Sequence, residues 1–431
     1  MAKSDAGSSC DFFSSVFDFK SIFVTIFKVY YETKEQQSKE AMSSQFSFQR
    51  SERIKSLEIS EIVQLSERAA ALRAEGQDII ALTTGEPDFP TPPNVIEAAH
   101  AAAMNGQTKY PATAGTPALR AEIARQNGVT PTNVIVSTGA KQVLANAMLA
   151  TLNTGDEVIM PAPFWTSYAD IVALAGGVPV VVSCGMDDDF KITPEKLAQA
   201  ITPATKWIML NAPSNPTGAI YSVAEQRDLA MVLTAHPHVQ ILVDEIYAHL
   251  SYETFTSFKD VAPELADRML IVNGVSKAYA MTGWRIGWGI GPVDMIKALG
   301  AVQGQITSGA CSISQAAALE AISGDQSVLA RQLATLQKRR DTLVSGLNAL
   351  PGITCKSPDG AFYVFPDLTG AMNAKGYESD ADFCAALLNE VGLVIVPGRA
   401  FGQPGHARIS FAYAETDIAE GLKRLQNFLV S

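Results

Sequence analysis

The sequence predicts an α/β protein: a large domain built on a mainly parallel seven-stranded sheet, with a smaller α+β domain attached. Three observations carry this expectation. From Asn133 onward, apolar runs recur at 134–137, 157–160, 179–182, 207–210, 240–243, 269–272 and 286–290, most of them separated by stretches of helical length. The runs are continuous rather than alternating, which is the pattern of strands covered on both faces. Polar clusters also follow the runs at the carboxyl ends, where open α/β sheets gather their ligands. These clusters are Thr138-Gly-Ala-Lys141, Asn211-Ala-Pro-Ser-Asn-Pro-Thr-Gly218, Asp244-Glu-Ile-Tyr247 and Asn273-Gly-Val-Ser-Lys277.

Taken in order, residues 1–50 differ from the rest. The stretch 12–31 is rich in Phe, Val and Ile, but Asp18, Lys20 and Lys28 interrupt it. Its longest uncharged run, 21–27, is far below the ~20 residues of a membrane span. No small-residue cleavage site follows it, and 32–50 is polar and linker-like. An upstream extension, dispensable up to Met42, is expected; an amphipathic surface helix is the competing reading. A helix follows at 60–76, with Ser60 to cap it, Ile62, Leu65, Ala69 and Leu72 on one face and Gly76 to end it. A strand at 79–82 then delivers the turn-rich loop Thr84-Gly-Glu-Pro-Asp-Phe-Pro90. After the seven runs, a long helix from about Gln332 to Leu350 opens a new pattern. It continues with a strand at 361–365, a helix at 380–391, strands at 393–396 and 408–412, and a last helix from Thr416. The expected division is 1–50 as extension, 51–94 joining the small domain, 95–331 as the large domain and 332–431 as the small one.

Composition narrows the function. With 47% apolar and 18% charged residues the 431-residue chain reads as globular, and 33 basic against 44 acidic residues give a net charge of −11. That balance argues against nucleic acid or an anionic membrane as partner. An anionic ligand therefore needs a local basic pocket. The five cysteines are scattered and include no C-x-x-C pair, so neither a disulfide framework nor a zinc site is expected, and a reducing cytoplasm fits.

The chemistry concentrates in Asn273 to Gly291. Lys277 falls in the turn between two strand-like runs; a solvated loop charge is its ordinary reading. Its neighbours Val275, Ala278, Tyr279, Ala280, Met281 and Trp284 are apolar or aromatic, and would desolvate the amine, lower its pKa and favour the neutral nucleophile that Schiff-base chemistry needs. Arg285 follows in a glycine-flanked setting, where a guanidinium can clamp a phosphate. A Schiff-base lysine beside a phosphate clamp is what pyridoxal phosphate requires. Gly139, Ala140 and Lys141 open a helix and offer amide N–H groups to an anion, although most helix starts bind nothing. They do not make a Walker A loop, and Gly287-Trp-Gly-Ile-Gly291 does not satisfy G-x-G-x-x-G. Asp244 closes an apolar strand, where it is either a helix cap or the partner of a protonated ring nitrogen. Trp165 reads as ordinary core, and Arg408, on an apolar strand, needs an anionic partner.

From about Ile54 to the C-terminus the chain resembles the class I aminotransferases of fold type I, in particular their bacterial aspartate aminotransferase branch. The resemblance rests on the Asn273–Gly291 segment, Asn215-Pro-Thr-Gly218, Asp244-Glu-Ile-Tyr247, Ala162-Pro-Phe-Trp165 and Ala407-Arg-Ile-Ser-Phe-Ala-Tyr413. It implies that Lys277 carries the cofactor, Asp244 meets its ring nitrogen, Asn215 and Tyr247 meet its phenolate oxygen, and Trp165 stacks on its ring. It further implies that Arg408 forks onto the substrate α-carboxylate, that the backbone of Gly85 contacts substrate, and that Tyr110 reaches the phosphate of the neighbouring subunit in a homodimer. Two departures matter. The arginine that some subgroups place after the lysine motif has no match, since between Arg285 and Arg331 the only basic residue is Lys297, so Lys141 is left to meet a distal carboxylate. Gly274 stands where many relatives have a serine on the phosphate, which leaves Ser276 as a partial substitute. The expected activity is transamination, foremost between aspartate and 2-oxoglutarate. Prephenate, aromatic or other substrates, a pyridoxal-phosphate lyase and a non-catalytic regulator are the alternatives.

Overall fold

The computed structural model describes residues 28–34, 48–55, 57 and 60–431; the expectations for the leader fall largely outside this set. Residues 56–431 form one compact unit. Its strands, in chain order, are β1 (Ile80–Ala81), β2 (Val134–Thr138), β3 (Glu157–Ala162), β4 (Val178–Ser183), β5 (Thr205–Asn211), β6 (Gln240–Asp244), β7 (Met269–Gly274), β8 (Ile286–Ile290), β9 (Tyr363–Val364), β10 (Leu393–Val394), β11 (Val396–Pro397) and β12 (Ala407–Ser410). Strands β2 to β8 make a seven-stranded sheet in the order β2-β8-β7-β6-β5-β3-β4. Only β8 runs antiparallel to its neighbours, β2 and β7. The connection from β7 to β8 is a run of turns with one 3₁₀ turn, Thr282–Trp284, and is too short for the crossover that a parallel pair needs.

The continuous apolar runs have a simple cause. Successive residues of a strand point to opposite faces, so a strand covered on both sides must be apolar at every position. Ile135, Val158, Met160, Trp207, Leu242 and Leu270 pack with Val143 and Leu144 of the helix Ala140–Thr151 on one face. Val136, Ile159, Ile208, Val243 and Ile271 pack on the other with Leu229 and Leu233 of the helix Val223–Thr234. Burying each such side chain contributes about 1.5–3 kcal/mol.

Two smaller sheets draw on both ends of the unit. Strand β1 pairs in parallel with β10, and β11-β12-β9 form an antiparallel sheet. Several boundaries differ from expectation. The run at 393–396 divides into β10 and β11, which join different sheets, and the run at 361–365 keeps ladder pairing only at β9. The long helix starts earlier, at Ser327, and the first large helix, Glu61–Ala74, has Ser60 at its N-cap without a side-chain capping bond. Among the described residues no helix is long and apolar enough to cross a membrane, no group of His, Cys, Asp and Glu is placed to hold a metal, and Cys184, Cys311, Cys355 and Cys384 are free.

Candidate active site

Because β2, β5, β6 and β7 all point the same way, their carboxyl ends meet at one edge of the sheet. A cavity of about 250 Å³ opens there. It is lined by Ala140, Lys141, Trp165, Asn215, Asp244, Tyr247, Ser276, Lys277 and Arg285 from the sequence expectations, together with Tyr168, Asn211 and Thr282. Nine residues scattered over 146 positions thus meet at this one sheet edge, Trp165 arriving from the end of β3 and Arg285 from the start of the antiparallel β8.

The turn after β7 is pinned by Val275, Ala278, Tyr279 and Met281, all buried. That anchoring turns Lys277 inward, where its ammonium donates to the Gly85 carbonyl at 2.6 Å. Burial, helped by the charge of Arg408, pushes the amine down to about 8, so a larger share is neutral at physiological pH than in an ordinary lysine.

Asp244 ends β6. Its Oδ2 accepts the Tyr168 hydroxyl at 2.7 Å and its Oδ1 accepts the Ile246 N–H at 3.1 Å. Only turns follow β6, so Asp244 caps no helix; its Ile246 bond closes a turn, and the Tyr168 bond comes from the helix Ser167–Leu174. A carboxylate offers about four acceptor sites, so capacity remains toward the cavity. Burial pushes Asp244 up to about 6, and it stays ionised at neutral pH.

Asn211, at the end of β5, donates to the Asp244 carbonyl and accepts the Asn215 N–H, both at 2.8 Å, which ties the 211–218 loop to β6. Asn215 Oδ1 in turn accepts from Arg408 Nη1 at 3.0 Å, and Thr83 O accepts from Arg408 Nη2 at 2.6 Å. Arg408 is 2% exposed, its Nε has no hydrogen-bond partner, and among the described residues no carboxylate pairs with it. A buried guanidinium held only by neutral oxygens is incomplete.

The other cationic corner is built by close approach. Gly287 of β8 lies so near the helix Ala140–Thr151 that a Cβ there would come 2.2 Å from the Ala140 nitrogen. Gly139, at φ +84°, caps that helix, and a Cβ on it would meet Arg285 Nη2 at 2.6 Å. Arg285 itself has φ +57°, a conformation that costs about 1–2 kcal/mol for a non-glycine residue. The strain sets a guanidinium beside the Ala140 and Lys141 amides of a helix start, with Ser276 lining the same cavity; the Gly139 N–H, expected from the sequence to join them, is instead taken by the Ser137 carbonyl at 2.7 Å. Lys141 places its ammonium 4.6 Å from the centre of the Trp165 ring, and Trp165 meets Tyr168 edge-on at 5.5 Å. Three cations, Lys141, Lys277 and Arg285, thus line the cavity with one buried carboxylate, while Arg408 and Gly85 stand behind its wall, bonded to the lining residues Asn215 and Lys277. The acidic chain has the local basic pocket that an anionic ligand needs.

Tyr247 and Tyr363 share a hydrogen bond at 3.0 Å between their hydroxyls, and burial raises both above the ordinary phenol value. Tyr110 is not brought in: it is 93% exposed and does not line the cavity. Sequence reasoning gave no role to Asn211, Tyr168 or Tyr363. The strand-end rule points to Asn211, whereas nothing local marks Tyr168 or Tyr363, whose roles depend on distant partners.

An α/β sheet with a lysine amine of lowered pKa, a buried carboxylate, an aromatic wall and a cationic corner at its carboxyl edge suits the aldehyde, ring nitrogen, ring face and phosphate of pyridoxal phosphate. The chain belongs to the aminotransferase class I and II family, whose model matches residues 77–425, and it is a pyridoxal-phosphate-dependent aminotransferase. It is 48% identical over 391 residues to an aspartate aminotransferase of Rhizobium meliloti, covering 88% of this chain and 95% of that protein. To an aspartate/prephenate aminotransferase of Cereibacter sphaeroides it is 50% identical over 382 residues, covering 86% and 96%. Among solved structures, the Rhizobium meliloti aspartate aminotransferase superposes with a TM-score of 0.86 at 47% identity, over 89% of this chain and 99% of that one. The Thermus thermophilus enzyme with maleate gives 0.83 at 40% identity, over 88% and 100%.

Proposed function

We propose that this enzyme transfers the amino group between L-aspartate and 2-oxoglutarate, with the cavity residues in the following roles. Ser276, Arg285 and the amides at Ala140 and Lys141 hold the cofactor phosphate, with Gly139 leaving room for the Arg285 guanidinium. Trp165 stacks on the ring, Asp244 holds a proton at the ring nitrogen, and Asn215 and Tyr247 bind the phenolate oxygen. Arg408 orients the substrate α-carboxylate against the backbone of Gly85. When bound, pyridoxal phosphate supplies an electron sink for negative charge at the substrate Cα. Lys277 takes the Cα proton as general base and returns a proton as general acid, which its lowered pKa suits.

The observation that carries the choice of a dicarboxylate is that Lys141 lines this cavity and Arg408 bonds its lining residue Asn215, neither cation being ion-paired among the described residues. Lys297 offers no substitute: it is exposed and paired with Asp294. The maleate named with the Thermus thermophilus relative is a dicarboxylate as well. The second reading, prephenate as amino acceptor, is favoured by the Cereibacter sphaeroides relative and by the two carboxylates that prephenate offers to the same two cations. The test is transamination measured over a panel of donors and acceptors. Aspartate with 2-oxoglutarate should lead in kcat/KM, and a preference for neutral side chains would refute the dicarboxylate reading.

The same reading makes the enzyme a cytoplasmic homodimer in which Tyr110 reaches the partner's phosphate site. An almost fully exposed tyrosine supports it, and sedimentation at assay concentration should show a dimer. Residues 51–94 and 332–431 then make the smaller domain and 95–331 the larger, a division supported by the pairing of β1 with β10.

A further inference from the structure

The hydroxyl pair formed by Tyr247 and Tyr363 has one proton more than it uses. Each phenol carries one O–H, and burial keeps both protonated at neutral pH. Among the described residues each hydroxyl bonds only to the other, and either can donate across the 3.0 Å. One hydrogen bond consumes one of the two protons. The other must point elsewhere, and an unsatisfied buried O–H is costly.

Position decides which proton is spare. Tyr247 lines the cavity, whereas Tyr363 does not. Tyr363 is fully buried on β9, where it pairs with Ser410 of β12. Ser410 and Arg408 share a strand face two residues apart, so Tyr363 is the diagonal neighbour of Arg408. Its ring accordingly lies 4.5 Å from the Arg408 guanidinium. Its hydroxyl fills the space a side chain at Gly85 would take, since a Cβ there would lie 2.7 Å from that oxygen. Tyr363 is fixed from three sides, by Arg408, Gly85 and Tyr247.

We propose that Tyr363 is a positioning residue that donates its O–H to the Tyr247 oxygen, so that the Tyr247 proton is directed into the cavity toward the cofactor's phenolate oxygen. In one side chain it thereby joins the ring that backs the carboxylate-binding arginine to the hydroxyl that faces the cofactor. The inference rests on the reading of the cavity given above. It adds that Tyr247 works with a set polarity, and that Tyr363 sets it.

The test is a double-mutant cycle on the holoenzyme with Tyr247→Phe, Tyr363→Phe and both together. Phenylalanine at 363 keeps the ring beside Arg408 and removes only the hydroxyl, so maleate affinity should stay within about twofold of wild type. The pH midpoint of the cofactor's visible absorption band should move in the same direction in both single variants, and less in Tyr363→Phe. That variant should also lose about two- to tenfold in kcat/KM, the effect of one neutral hydrogen bond. In the double variant the Tyr363 change should add no further shift, because its effect passes through Tyr247. Cofactor affinity, followed by fluorescence on the stripped protein, should show the same non-additivity. Fully additive effects, or an unmoved midpoint in Tyr363→Phe, would overturn the proposal. A wild-type protein with neither a visible cofactor band nor transamination would instead overturn the underlying reading of the site, and the inference with it.

Discussion

In the proposed function, substrate choice turns on Lys141. A dicarboxylate at this cavity has one carboxylate for Arg408 and needs a second cation, and the ammonium of Lys141 over the Trp165 ring is the group available at the wall. Burial and the nearby charge of Arg285 lower its pKa, while Asp170 opposes them. An arriving carboxylate relieves that repulsion. Removing one charge-assisted contact costs about 1.5–3 kcal/mol, or roughly ten- to a hundredfold in kcat/KM. Lys141→Ala should therefore depress aspartate and glutamate turnover by about that factor and leave alanine or phenylalanine much less affected. Equal losses for acidic and neutral substrates would return Lys141 to a role on the phosphate alone. The bare sequence makes Lys277, Asp244 and Arg408 visible because each is a charge in an apolar setting, which physical chemistry does not tolerate without a reason. Tyr168 and Tyr363 stay hidden because a tyrosine in an apolar run is ordinary core until its hydroxyl is seen to bond Asp244 or Tyr247.

At the scale of elements, the site depends on how closely the helix Ala140–Thr151 lies against β8. Gly287 and Gly289 face that helix, while Ile286, Trp288 and Ile290 face the opposite core. Gly287→Ala would drive a methyl into the backbone of Gly139 and Ala140, and overpacking of this kind costs about 1–3 kcal/mol. Because the helix start carries the amides proposed to hold the cofactor phosphate, cofactor affinity should fall with stability. In Gly289→Ala the methyl meets the Val143 and Leu270 side chains, farther from the helix start, so the thermal midpoint should drop while cofactor affinity holds. Equilibrium dialysis of the two variants, beside their melting curves, separates these outcomes. The seven sheet strands were legible to within two residues at either end, because burial on both faces forces an apolar residue at every position. The small sheets were less so: β9, β10 and β11 are two residues each, too short for any period to declare itself.

For the molecule as a whole, one parallel sheet edge serves as an assembly bench. Four strand ends deliver an amine, a carboxylate, the Asn215 loop and a helix start to one cavity, and a small antiparallel sheet brings Arg408 against the lining residue Asn215. Sequence order foretold the first four contributions through the strand-end rule. It could not foretell the approach of β12, which depends on tertiary packing. The central claim, that this cavity performs transamination through Lys277, is tested most directly by Lys277→Ala. No other lysine stands in the cofactor motif, so the variant should lose the visible absorption band of the lysine-bound cofactor. Its aspartate:2-oxoglutarate transamination should fall by several orders of magnitude while its thermal midpoint is largely kept. A variant that folds, binds the cofactor and still turns over at a near-normal rate would contradict the account.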